Sequence, residues 1–184
     1  PGTTFSWTRA VVAGISNPAG SGTNNPNETL INTTNLPVGV TYVYTLMANG
    51  CVNTQNVLVT VNPRPTVMVS GNSTICSGMT TAGPPPLPGE HGTGGDSGFP
   101  TVIFTFTGSS PWNLSYTDGT STYAMTGITA NPLPVGVLPA VTTVYTATGL
   151  SDSQCTASSG GISGSAIVTV NPIPYVNAPA DKVA

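Results

Sequence analysis

Two nearly identical strings, VTVNPRP ending at Pro65 and VTVNPIP ending at Pro174, constrain the fold of this chain more than any other feature. Each opens with apolar/polar alternation, the period of a half-buried β-strand. Each closes on prolines, which cannot donate to a sheet ladder and so stop the strand. The strings recur in context. LPVGVTYVYTLMANGC (36–51) leads to the first copy and LPAVTTVYTATGLSDSQC (138–155) to the second. Both run through a proline entry, a VYT strand, a polar turn and a cysteine before the final strand. A tail used twice predicts two copies of one structural unit. The joints between them fall at Asn62, Pro63 and Pro65 and again at Asn171, Pro172 and Pro174. Proline fixes its own φ and restricts the residue before it, so Asn62 and Asn171 are expected to be extended.

Composition sets the class. Only 5% of the 184 residues are charged, against roughly 25% in an ordinary globular protein. Surface polarity therefore falls to Thr, Ser, Asn and Gly, which suit strands and turns, while the Glu, Lys and Arg of helix surfaces are nearly absent. With 18 prolines and 22 glycines as frequent breaks, the expected fold is all-β: tandem Ig-like or PKD-like antiparallel β-sandwich modules. Alternation predicts strands at 5–7, 42–46 and 57–61 in the first unit. In the second it predicts strands at 67–69, 102–106, 113–116, 123–125, 143–147 and 166–170. ANG before Cys51 and TDGT around Asp118 and Gly119 read as tight turns. The expected boundaries are 1–65, a module lacking its N-terminal strands; 66–174, a complete module with a Gly/Pro-rich insert at 80–100; and 175–184, the start of a following module or a donated strand.

Three cysteines leave an odd one out. Cys76 stands near the start of the second unit and Cys155 near its end, so a disulfide between them is expected, with two buried thiols as the alternative. Cys51 has no counterpart early in the first unit and is expected to be unpaired or intermolecular. A first sandwich short of an edge strand is an aggregation hazard unless something fills the gap. Residues 174–184 of a neighbouring copy are the expected filler, by strand addition, against the plainer reading of a flexible tail.

Six acids against three bases (Arg9, Arg64, Lys182) give a net charge of −3 and no basic patch. Nucleic acid is therefore not an expected partner. No apolar run approaches the roughly 20 residues of a membrane span. The cysteines lack the short paired spacing of a zinc site. Glu90, Asp96, Asp118, Asp152 and Asp181 are scattered loop acids, so no metal ligand set or cofactor is assigned. A weak structural calcium site at Asp152 or Asp181 stays open beside the favoured reading of turn residues that bond their own backbone.

Several stretches together resemble the PKD-like and Ig-like repeats of very long Bacteroidetes surface proteins, including gliding-motility adhesins of the SprB type. They are PGTTFSWTRA with AGISNPAGSGTNNPNETLINTTN, YVYTLMANGCVNTQNVLVTVNPRP, STICSG, FTFTGSSPWNLSYTDGT and GSAIVTVNPIP, and they cover most of the chain outside the insert. The resemblance implies a secreted tandem array at the cell surface, exported by the type IX route and serving as stalk, adhesin or filament. Its implied partners are neighbouring copies or flanking modules, with surface polysaccharide as a further ligand.

The insert departs from that pattern and holds a decoy. GGDSGFP around Ser97 resembles the nucleophile segment of chymotrypsin-type proteases, but the single histidine, His91, lies six residues away in the same loop. Such chemistry needs a base and an orienting carboxylate held rigidly. The expectation is no enzyme. GPPPLPG reads as a stiff polyproline spacer. The alternative function is a carbohydrate-binding sandwich, which would need Trp112, Tyr116 and Tyr123 exposed in a row. A tryptophan on an early sandwich strand more often plugs the core, so Trp7 and Trp112 are expected to be buried.

Overall fold

The computed structural model describes residues 2–78 and 99–174 and is built almost wholly of β-strands. The N-terminal part is a four-stranded antiparallel sheet of β1 (Thr4–Arg9), β2 (Gly20–Gly22), β3 (Val38–Ala48) and β4 (Cys51–Val61), in the order β2-β1-β3-β4. The ANG signal makes the β3–β4 hairpin. Asn49 (φ 50°) and Gly50 (φ 79°) both turn left-handed, the geometry that matches strand twist. They pair Ala48 with Cys51 and carry an unbroken register to Val38 and Val61.

The C-terminal part is a sandwich. One sheet holds β5 (Val67–Ser70), β7 (Thr101–Phe106), β10 (Leu133–Gly136) and β12 (Ile162–Gly164), in the order β10-β7-β5-β12. The other holds β6 (Ser73–Cys76), β8 (Trp112–Thr117), β9 (Thr122–Ile128), β11 (Thr143–Ser151) and β13 (Ala166–Asn171), in the order β6-β13-β11-β8-β9. Inward residues of both sheets form one core around Val102, Phe104, Leu114, Ala166 and Val168. Aromatic pairs bridge it: Phe104 with Tyr116 at 5.1 Å and Phe106 stacked on Trp112 at 5.2 Å. Trp7 and Trp112 are both buried, as the sequence predicts.

The pairing is not purely antiparallel, which corrects the expectation. Residues 67–76 form one extended run that bends at Gly71 and passes from one sheet to the other; residues 162–171 do the same at Gly164. The two runs travel side by side, so β12 pairs with β5 and β13 with β6 in parallel. Both bends need glycine, with φ of +105° and +76°. A Cβ at Gly71 would strike the Thr101 carbonyl, and one at Gly164 the Val69 carbonyl. Because first and last strands climb together, the chain enters the sandwich at one pole and leaves at the other.

The nine strands predicted by alternation are present, mostly longer than predicted. Alternation did not find β2, β6, β10 and β12. These hold three or four residues, with glycines in β2 and β12 and a proline in β10, too short for periodicity to show.

The expected Cys76–Cys155 disulfide is absent, and Cys51, Cys76 and Cys155 are all free. Cys76 pairs beside Asn171 at the exit pole, above the Thr143–Val168 pair. Cys155 sits in the turn after Ser151, at the opposite end of β11, where its carbonyl accepts the Asp152 N–H. The span of β11 at about 3.4 Å per residue separates them by nearly 30 Å, whereas a disulfide needs Cα atoms within about 7 Å. Labelling the unreduced chain with a maleimide under denaturing conditions should therefore add three labels; a single label would restore the bridge.

Candidate interaction surface

The inner face of the N-terminal sheet is covered by a loop rather than by a second sheet. Phe5, Trp7 and Arg9 alternate inward along β1, and Val40 and Tyr42 along β3. The segment between β1 and β3 lies over them. Ile15 joins the core, the Trp7 indole donates to the Asn24 carbonyl at 2.6 Å, and Asn32 donates to the Leu36 and Val61 carbonyls at 2.8 and 2.7 Å.

One ion pair fastens this loop. The Arg9 guanidinium, buried to 2% exposure, donates to both carboxylate oxygens of Glu28 at 2.8 and 2.9 Å. Two further N–H groups donate to the Pro18 and Ala10 carbonyls. The Tyr42 hydroxyl donates to Glu28 at 2.7 Å. The hydrogen bonds from Arg9 hold the Glu28 carboxyl down from an ordinary 4.5 to about 2, against the upward push of burial. The sequence signal for this network was the inward phase of Arg9 after Phe5 and Trp7. Its partner, 19 residues away in a loop, carried no signal.

Beyond the loop the sheet is bare. An open groove of about 700 Å³ runs along the inner side of β3 and β4, lined by Tyr42, Tyr44, Val57 and Val59, with Arg64 and Cys155 at its sandwich end. On β4 every residue from Cys51 to Thr60 is exposed, and the outer edge of the strand has no paired neighbour among the described residues. Cys51 lies exposed at the hairpin tip. The contrast with β13, which carries the same VTVNP sequence, is direct. Val168 is 0% exposed and β6 covers the β13 edge, while Val59 at the matching position is 38% exposed.

The strand order makes the comparison sharper. The sheet β2-β1-β3-β4 repeats β9-β8-β11-β13, each neighbour antiparallel; the fifth strand, β6, has no counterpart beside β4 among the described residues.

The two joints also differ. Pro63 and Pro65 are buried at the entry pole of the sandwich. The Asn62 amide reaches Gln154 at 3.2 Å, and Thr66 exchanges bonds with Thr107. At the second joint Asn171, Pro172, Ile173 and Pro174 are all exposed. Asn171 closes β13 and is extended, as expected.

The aromatic row anticipated for sugar stacking is not on the surface. Trp112 and Tyr116 are buried in the core, and Tyr123 alone is exposed, one face stacked on Tyr116 at 5.0 Å. Asp118 and Asp152 bond their own turns. Asp118 accepts from the Thr120 and Ser121 N–H groups, which hold its pKa down, and from the Tyr123 hydroxyl. Asp152 accepts from Ser109, Gln154 and Cys155; burial pushes its pKa up, but these bonds outweigh that and lower it. Among the described residues no three His, Cys, Asp or Glu side chains converge as a metal group, and no helix is long and apolar enough to cross a membrane. Glu90, His91, Asp96, Ser97, Asp181 and the strand expected at 175–184 lie outside the described residues.

No family model, curated protein or solved structure matches this chain.

Proposed function

We propose that this chain is a structural and adhesive segment of an extracellular bacterial surface protein, made of PKD-like or Ig-like repeat modules that extend as a stalk or fibre. The observation that carries the reading is the parallel course of the first and last strands of the sandwich. It puts entry and exit at opposite poles, each marked by the same Asn-Pro joint, so successive units add length instead of folding back. The repeated strand order of the N-terminal sheet supports the same reading. Low charge supports it as well, because packing charge-poor surfaces side by side desolvates few ions. The work proposed is mechanical and involves no catalysis, cofactor or nucleic acid.

Immunogold electron microscopy of the source cells tests this. Label along surface fibres or stalks is the expected result. Label confined to the cell interior would remove the proposal.

A further inference from the structure

We infer that the outer edge of β4 and the adjoining groove form an acceptor for the C-terminal segment of a second copy of this chain, so that copies join head to tail. The inference rests on the module reading above and adds the surface, the partner segment and the strand direction.

Natural sheets protect an exposed edge with charges, prolines, bulges or short strands. β4 has none of these. It is eleven residues long, carries no charged residue and no proline, and keeps an uninterrupted register with β3. Such an edge is a template for an added strand. The sandwich displays the completed form of the same edge. There β6 runs parallel to β13 over Val168–Asn171, and β5, just before it, turns Val67 and Val69 into the core. The matching stretch of β4 is Val59 to Asn62, where the groove opens.

The occupant follows from the second joint. VTVNPIP repeats VTVNPRP, yet its prolines are exposed where Pro63 and Pro65 are buried. The residues after it are YVNAPADKVA. Counted from the joint, Val176 and Ala178 take the places of Val67 and Val69, and the stretch beginning at Lys182 takes the place of β6. The acceptor cannot be the β4 of the same molecule. Ten extended residues span at most about 33–36 Å. The run 67–76 spends ten residues on crossing the sandwich once, so ten residues returning from the exit pole reach β4 with none left to pair. The contact is therefore intermolecular and heterologous: one copy's exit pole meets the next copy's open sheet, an arrangement that propagates.

Sedimentation velocity on the purified 184-residue chain, with binding of a synthetic peptide of residues 174–184 to a chain ending at Pro174, tests this. The expected results are concentration-dependent oligomers of the full chain, and a monomeric shortened chain that binds the peptide one to one. Val59→Lys in the groove should weaken peptide binding at least about tenfold, because the register that pairs Val168 with Ser73 sets this position opposite Lys182 of the added strand, and two like charges would have to be buried together. Val52→Lys, at the far end of the same strand, should bind as the parent does, with circular dichroism confirming that both variants fold. A monomeric full chain, a shortened chain that still dimerises through β4, or a Val59→Lys variant that binds normally would each overturn the acceptor. Loss of peptide binding while fibres persist on cells sinks the acceptor alone. Peptide binding without surface fibres sinks the module reading instead.

Discussion

Replacing Glu28 with alanine is expected to destabilise the N-terminal sheet by about 3–5 kcal/mol, because it strands a guanidinium that cannot reach water. The Arg9 side chain is 1% exposed. Without the carboxylate it keeps only the Pro18 and Ala10 carbonyls as partners. The sheet is poorly placed to absorb this, since among the described residues its buried apolar core is no more than Trp7, Ile15, Val40 and Tyr42. Urea unfolding followed by Trp7 fluorescence in a Trp112→Phe background reads this sheet separately from the sandwich. A loss under about 1 kcal/mol would mean that the pair does not hold the loop. Replacing both partners with methionine is expected to cost less than Glu28→Ala, because no charge is then left buried.

The same pair sets an acid limit. Glu28 has a folded pKa of about 2, below its ordinary 4.5, so its contribution is fully present above about pH 5. It is lost as the pH falls through the interval down to about 2. The loss amounts to about 2 kcal/mol once the water-exposed fraction of the carboxylate is allowed for. Glu28→Ala should abolish this acid-dependent part of the unfolding curve; an unchanged pH profile would assign the acid limit elsewhere.

Phe104→Ala should cost the sandwich about 3–5 kcal/mol, the range for deleting a buried aromatic ring from a packed core. Phe104 is 0% exposed on the central strand β7. Its ring meets Tyr116 of the facing sheet at 5.1 Å, and its backbone neighbours are Val69 and Leu133. The two sheets touch through it, so the cavity cannot close by moving one side chain. A fall in Tm of more than about 10 °C is expected for a domain of this size. Tyr123→Ala, at an exposed ring of the same sandwich, serves as the contrast, with a loss under about 1 kcal/mol. Equal effects from the two substitutions would show that the core is not where the structure puts it.

Much of the architecture was legible because strand periodicity is local. YVYTL, FTF and VTV alternate with the pleat, so each declared both a strand and an inward face. ANG and TDGT declared turns through backbone conformations that few other residues adopt. The burial of Trp7 and Trp112 followed from the tendency of a tryptophan on an early sandwich strand to plug the core. The short strands stayed hidden, since three or four residues cannot establish a period. The disulfide expectation failed for a different reason. Position along the chain does not reveal which pole of a sandwich a residue occupies, and Cys76 and Cys155 occupy opposite ones.

The sequence by itself determined the class and the repeated VTVNP ending, because charge content, alternation and proline act through the backbone within a few residues. Tertiary structure decided how those pieces face one another. It joined Arg9 to Glu28 across a long loop, ran the first and last sandwich strands in parallel, and left one VTVNP strand covered and the other open. Those outcomes depend on which edges find neighbours in space, and local sequence carries no record of that.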